Sequence, residues 1–535
     1  MTVFQEKSIK FLGKSPNPAS VEVLSKLLAN PVSKIRVSAF EALFLKKEPE
    51  VYVLLFKHFV NDEEFWSGQT FLTPERLSRL ADAAFRTENA AVRDAAAKAI
   101  IKYKLYETLP TVLIYLEGSD EALSMLARKM ISQLAELFYG DLASAPTELD
   151  RRNLDRRREW FVQQLDGPIK RFAANGIDEL ITSLLVITKK DYDTMRTILG
   201  DHRSAACKRI ADLLENGDHS SYIRLLLSYV PDGGAPAVID EILTRRSDPL
   251  FVRKMLEMIG DNPSFDFREA LKRFKGFDWF LPGNPELGKL VEGLEPCAVQ
   301  LLMSSSMPKD RMVKLYRFFL ERPSFESRRA AATAVRRLVG DEVNKMLLDF
   351  VNDSDATTAA TVFRILKARG VEEVETVFPR LVERHDDEIR KAIYDTMPEL
   401  HVESFASRFG QMTPGTARTT GRYVRLIDPN TFKVINDDIV SPIPIRRLAA
   451  CNVAAVTGYA TDFTERIIEI AETDDETNVR IAAITALGTI LTKEAIETIK
   501  FLINDRSMDI RDAATAALKE WMLAYQAKFP GSGSK

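Results

Sequence analysis

Val479-Arg480-Ile481-Ala482-Ala483 is the stretch on which the reading of this chain turns, because it returns as Ile510-Arg511-Asp512-Ala513-Ala514 and as Val92-Arg93-Asp94-Ala95-Ala96. A phrase that recurs at a distance marks a repeated unit of structure, here a stack of helical hairpins. Working outward from Val479, the residues Ala482, Ala483, Ala486, Leu487, Ile490 and Leu491 follow at i+3, i+4, i+7, i+8, i+11 and i+12. They lie on one face of a helix. The same template fits Ile510, Ala513, Ala514, Ala517, Leu518, Trp521 and Met522, and also Ser327, Ala330, Ala331, Ala334, Val335, Leu338 and Val339. Alanines rather than leucines open the stripe, which lets a second helix approach closely at that level.

With the arginine as a ruler, the C-terminal half reads Arg328, Thr357, Arg390, Arg418, Arg446, Arg480 and Arg511, at intervals of 28 to 34 residues. Removing about six residues for two tight turns leaves two helices of about twelve residues each, an ordinary length for soluble proteins. Thr357 keeps the small neighbours without the arginine, and Arg418-Thr419-Thr420-Gly421 keeps the arginine without the alanines. Gly340 and Gly370 each follow a basic stretch, where a helix is expected to stop.

These phrases and their period resemble the HEAT repeats, specifically the short repeats of about thirty residues found in bacterial scaffold proteins and phycobilin-lyase-type proteins. The resemblance covers about residues 320 to 525, recurs at Arg36 and Arg93, and fades between 140 and 320. It implies an all-α fold, an α-solenoid or superhelix of stacked antiparallel helix pairs. It also implies a ladder in which the arginine of each second helix pairs with an aspartate in the turn of its own hairpin. On that basis Asp505 is matched with Arg511, Asp474 or Asp475 with Arg480, and Asp248 with Arg253, while Arg36 has Asn30 in the equivalent place.

Composition fits a solenoid. A chain of 535 residues would ordinarily divide into several globular domains, yet a repeat array keeps adding nearest-neighbour contacts without outgrowing one core. The expected organisation is an irregular N-terminal arc over 1–260, a joint over 261–300 rich in proline and glycine, a regular arc over 301–528, and a flexible tail over 529–535. No apolar run of eighteen residues is present, and the first residues lack the apolar core of a secretory signal, so the expected location is the cytoplasm.

Catalytic chemistry finds no foothold in the sequence. Cys207, Cys297 and Cys451 are odd in number and far apart, which suits buried reduced thiols better than disulfides or zinc. The five histidines form no HExxH or closely spaced pair, and no phosphate-binding glycine loop occurs. No catalytic, cofactor-binding or metal-binding residue is assigned, and no cofactor is expected.

Two segments depart from the repeat pattern. One holds Arg151, Arg152, Arg156, Arg157 and Arg158 beside Trp160. It is a candidate grip for phosphate or an acidic partner, and equally a solvated helix start, since Asp150, Asp155 and Glu159 interrupt the run. The other holds Phe274, Phe277, Trp279 and Phe280, a candidate anchor patch if exposed and a packing plug if buried.

With 74 basic against 77 acidic residues, the chain lacks the excess positive charge that draws proteins to nucleic acid. The expected function is a non-catalytic scaffold that offers a curved helical surface to a protein or peptide. The alternatives are a nucleic-acid-binding relative of the HEAT-like DNA glycosylases and a phycobilin-lyase-like enzyme.

Overall fold

The computed structural model describes residues 2–528, which places the expected tail at 529–535 outside the described residues. Among them are 34 α-helices, a few 3₁₀ turns and no strand. Two compact units divide the chain. The first runs to Leu294 and takes back Ser304–Met307; the second holds Glu295–Met303 and continues from Pro308. The segment expected as a joint therefore contributes 261–294 to the first unit and 295–300 to the second.

In the second unit the ruler residues each fall near the start of a second helix: Phe325–Ala334, Ala356–Ala368, Asp387–Thr396, Pro414–Ile427, Pro444–Thr457, Thr477–Leu487 and Met508–Lys528. Side-chain caps and prolines set where these helices begin. Ser324 and Asp355 accept from the backbone N–H groups of Ser327 and Thr358, and Pro414 and Pro444 occupy first helical positions, where no N–H is needed. Gly370, at φ 69°, closes Ala356–Ala368 in the left-handed region, and the Val371 N–H donates back to the Leu366 carbonyl. The predicted stripe is the buried face: Val479, Ala482, Ala483, Ala486, Leu487 and Ile490 are all buried, as are Ile510, Ala514 and Ala517. It fails only at its far ends, where Val339 and Met522 are exposed.

Small residues open the stripe for the reason expected. A Cβ on Gly421 would lie 2.6 Å from Val456 Cγ2 and 2.9 Å from the Val456 carbonyl oxygen. Gly421 stands where the other phrases carry their second alanine, so the helices Pro414–Ile427 and Pro444–Thr457 meet backbone to side chain there.

The arginine ladder exists, but its register differs from the expected one. Arg480 pairs at 2.6 Å with Asp505 of the following hairpin turn, not with Asp474 or Asp475 of its own. Asp474 is held at 2.6 Å by Arg447 of the preceding hairpin, and Asp353 at 3.0 Å by Arg328. Arg447 therefore replaces Arg446 on the ruler, a shift legible in Arg447-Leu448-Ala449-Ala450. The cause lies in the turn. Each aspartate uses one oxygen to accept a backbone N–H two residues on, from Asp355, Glu476 and Ser507 respectively. At Asp505 the tightened turn presents its carbonyls to its own arginine, and Arg511 donates to those of Asp505 and Arg506. Arg480 donates instead to the Ala471 carbonyl, and Arg328 to those of Arg322 and Pro323, in a turn without an aspartate. The carboxylate faces the preceding repeat. The Arg447 guanidinium holds the Asp474 carboxyl below the usual carboxylate range, and at Asp505 the Ser507 N–H and then Arg480 do the same.

The first unit is less regular. Arg36 and Arg93 lie in the helices Ser33–Phe44 and Ala90–Lys102, and Arg36 reaches Asp62 at 2.9 Å, a rung of the same kind. Then two long helices, Glu121–Ser144 and Glu148–Lys170, of 24 and 23 residues, break the period. From the second of them onward, arginines bond to backbone carbonyls. Arg158 donates to the carbonyls of Ile187 and Thr188, Arg246 to those of Leu214 and Gly217, and Arg273 to those of Tyr229, Val230, Asp232 and Ala270. The expected Asp248–Arg253 pair does not form. Asp248 caps Phe251 N–H and pairs with Arg246 at 2.6 Å, while Arg253 turns along its own helix to Glu257.

Candidate protein-interaction surfaces

The two segments singled out in the sequence are largely structural. Thr147 caps the helix Glu148–Lys170, whose first half carries the arginine run. Arg158, expected as a partner-binding residue, is buried and committed to the two carbonyls named above. Arg157 pairs with Glu107 at 2.9 Å, Arg152 with Glu148 at 3.3 Å, and Arg156 donates to the Asn153 side chain. Arg151 is exposed and Trp160 half-buried. Acidic and amide neighbours thus meet most of the run, which is the solvated helix start and not a basic groove. Phe277, Trp279 and Phe280 are corrected in the same sense. All three are buried with Phe274, and their rings follow one another at centroid distances of 5.1, 6.0 and 4.9 Å. A cluster with no exposed face anchors no partner.

Cys207, Cys297 and Cys451 are buried and form no disulfide, and burial pushes the Cys451 thiol up to about 12, the opposite of what a nucleophile needs. No cluster of metal-ligating side chains occurs among the described residues, and none of their helices is long and apolar enough to cross a membrane.

What the second unit does present is an open groove of about 670 Å³ along its second helices. Its floor is small and apolar, with Ala417, Ala455, Val456, Ile481, Ala513 and Ala516 taken from four successive second helices. Leu523, 59% exposed, stands at one end, and Phe409 and Met412 stand at the other. Arg418 crosses it to pair at 2.5 Å with Glu520. In a flat array the first and fourth helices of such a row would lie about 27 Å apart, at roughly 9 Å per step, far beyond the reach of one arginine and one glutamate. This face of the unit is therefore concave. Sequence reasoning missed the groove because its residues come from separate repeats, and of the alanines that floor it only Ala513 belongs to the repeat phrase.

Helical hairpins stacked through their second helices, with small residues at the contact and an arginine-to-aspartate ladder between turns, define an α-solenoid of HEAT type. The family model described as HEAT repeats matches residues 464–526. Solved structures of similar fold include one reported with a phosphorylation switch controlling the cadherin–beta-catenin interaction, at 13% identity, 94% of this chain, 99% of that one and a TM-score of 0.31. They also include the karyopherin Kap121p, at 12% identity, 98% of this chain, 54% of that one and a TM-score of 0.23. Importin beta is similar at 11% identity, 97% of this chain, 82% of that one and a TM-score of 0.25. The partners of those proteins are not carried across by superpositions of this size. Among curated proteins no sequence matches the chain.

Proposed function

We propose that the chain is a non-catalytic scaffold whose second unit binds a protein or peptide in its concave groove. The observation that carries this reading is the groove floor, where alanines and half-buried Val456 and Ile481 leave apolar surface open along four repeats. A preformed concave surface loses little ordering entropy on association, and apolar side chains laid on it would remove that surface from water. Buried thiols outside any disulfide agree with a reducing compartment, and we place the protein in the cytoplasm.

The test is a pull-down from the native host with the intact chain and with Ala516→Arg, a change at an exposed groove position. The expected result is a nuclease-resistant protein partner retained by the parent chain and lost by the variant. Recovery of nucleic acid alone, or sub-micromolar binding of random duplex DNA at about 150 mM salt with a steep salt dependence, would overturn the reading.

A further inference from the structure

The first unit carries a separate groove, of about 500 Å³, with a different chemistry. Its base is Ile223 and Leu227 of the helix Ser220–Ser228, both buried, and its open side is formed by Leu250 and Met258 of Pro249–Ile259, which are 47% and 36% exposed. Tyr139, from Glu121–Ser144, closes one wall. Its hydroxyl lies 3.0 Å from Ser220 Oγ, which fixes the ring, and the Arg224 guanidinium lies over that ring at 4.8 Å from the centroid. The guanidinium thereby rests against the Tyr139 ring at the edge of the apolar floor.

The charges around the groove leave Arg224 uncompensated. Glu257 is engaged by Lys254 at 2.8 Å and Arg253 at 3.2 Å, and Glu136 lies 3.3 Å from His219 Nε2. No carboxylate among the described residues is within ion-pair distance of Arg224. An exposed arginine that bonds no carbonyl and pairs with no acid is set apart from its buried neighbours Arg158 and Arg246, which are satisfied from within the fold.

We propose that this groove binds a peptide segment of a partner protein that presents a large apolar side chain to Leu250 and Met258 and, beside it, an aspartate or glutamate to Arg224. A carboxylate matches the guanidinium fork with two parallel hydrogen bonds, and the low-polarity floor next to it strengthens that pairing. The site is open along the helices and lacks a deep enclosed slot, which suits side chains projecting from a backbone better than a long hydrocarbon tail. This assignment is independent of the groove in the second unit.

The probe is a random twelve-residue linear peptide library displayed on phage and selected against the intact chain. Individual peptides are then measured by fluorescence polarisation on the parent, Arg224→Glu, Arg224→Lys and Leu250→Asp. Because Arg224 and Leu250 are exposed, the variants should keep the parent's melting temperature, which is measured alongside. Enriched peptides should share an acidic residue next to a large apolar one. Their affinity should fall at least tenfold on Arg224→Glu and on Leu250→Asp, less on Arg224→Lys, and recover on Arg224→Glu when the peptide's acid is exchanged for lysine. The proposal is overturned if no peptide is enriched, or if sodium dodecanoate but no peptide competes for the site. It is also overturned by peptides that bind Arg224→Glu as well as the parent. Should such peptides be lost on Ala516→Arg, the assignment here fails while the groove of the second unit stands.

Discussion

The two units satisfy their buried and half-buried arginines with a different balance of partners. In the second, Arg328, Arg447 and Arg480 each reach an aspartate in the next turn; in the first, Arg158, Arg246 and Arg273 reach backbone carbonyls. Both arrangements tie segments 25 to 44 residues apart, and both desolvate a guanidinium. They differ in what can undo them. A carboxylate takes up a proton and stops being an anion, whereas a carbonyl accepts its hydrogen bonds at any ordinary pH. The rungs at Asp353, Asp474 and Asp505 are thus titratable, the Arg158 clamp rests on carbonyls, and Arg246 and Arg273 combine carbonyls with Asp248 and Asp240.

The sharpest way to break the contrast is to remove one arginine of each kind. Arg158→Ala leaves two buried carbonyls without donors and should destabilise the first unit by about 3 kcal/mol. That loss should persist from pH 7 to pH 3.5, measured by urea unfolding followed by hydrogen exchange at Ile187 to Lys189. Arg447→Ala removes a largely buried rung and should cost the second unit about 2 kcal/mol at pH 7. If Arg447→Ala costs as much as Arg158→Ala at pH 3, the distinction between the units fails.

Acid alone should separate the units next. Asp474 and Asp505 have folded pKa values below the ordinary value of about 4, so their contribution is present above that pH and is lost as pH falls through the lowered folded values. Below about pH 4, exchange protection of the Glu476 and Ser507 amides should drop before that of the amides around Thr188. Equal loss at both places would contradict the ladder as described.

Smaller effects refine the picture within the second unit. Gly421→Ala forces Val456 away and should cost about 1 to 2 kcal/mol, as overpacking does. Asp475→Ala, next to the rung but exposed and outside it, should change the urea midpoint within about 0.5 kcal/mol. A large loss at Asp475 would restore the own-turn pairing that the geometry rejects.

The same contrast explains what could be read from the sequence. The second unit was legible because its arginines sit in a periodic phrase beside alanines, and helix periodicity follows directly from burial of that face. The direction of the rungs was not. An aspartate six residues before an arginine is close in sequence, but its geometry is governed by the N–H it already accepts, a fact of the folded turn. The carbonyl clamps of Arg158, Arg246 and Arg273 leave no trace, since every residue has a carbonyl. This is why the arginine run could be read as a surface while one of its members was holding a helix end. The aromatic segment was ambiguous for a related reason: composition reports four rings and not the side from which they are covered. Neither groove was visible, because each joins residues from helices far apart in sequence.

One consequence of the ladder concerns direction. Each rung joins an arginine to the hairpin that follows, so the hairpins that carry Arg447 and Arg480 are each completed by their C-terminal neighbour. Pulled from its C-terminal end, the array would peel one hairpin at a time. Removing the turn at Asp505 strands Arg480, and removing the turn at Asp474 then strands Arg447, so each step leaves the next hairpin already weakened. Pulled from the opposite side, the first hairpin to leave takes its arginine with it and leaves an aspartate still fastened to its own turn. Such a stack is a one-way zipper, with a different force signature at each end.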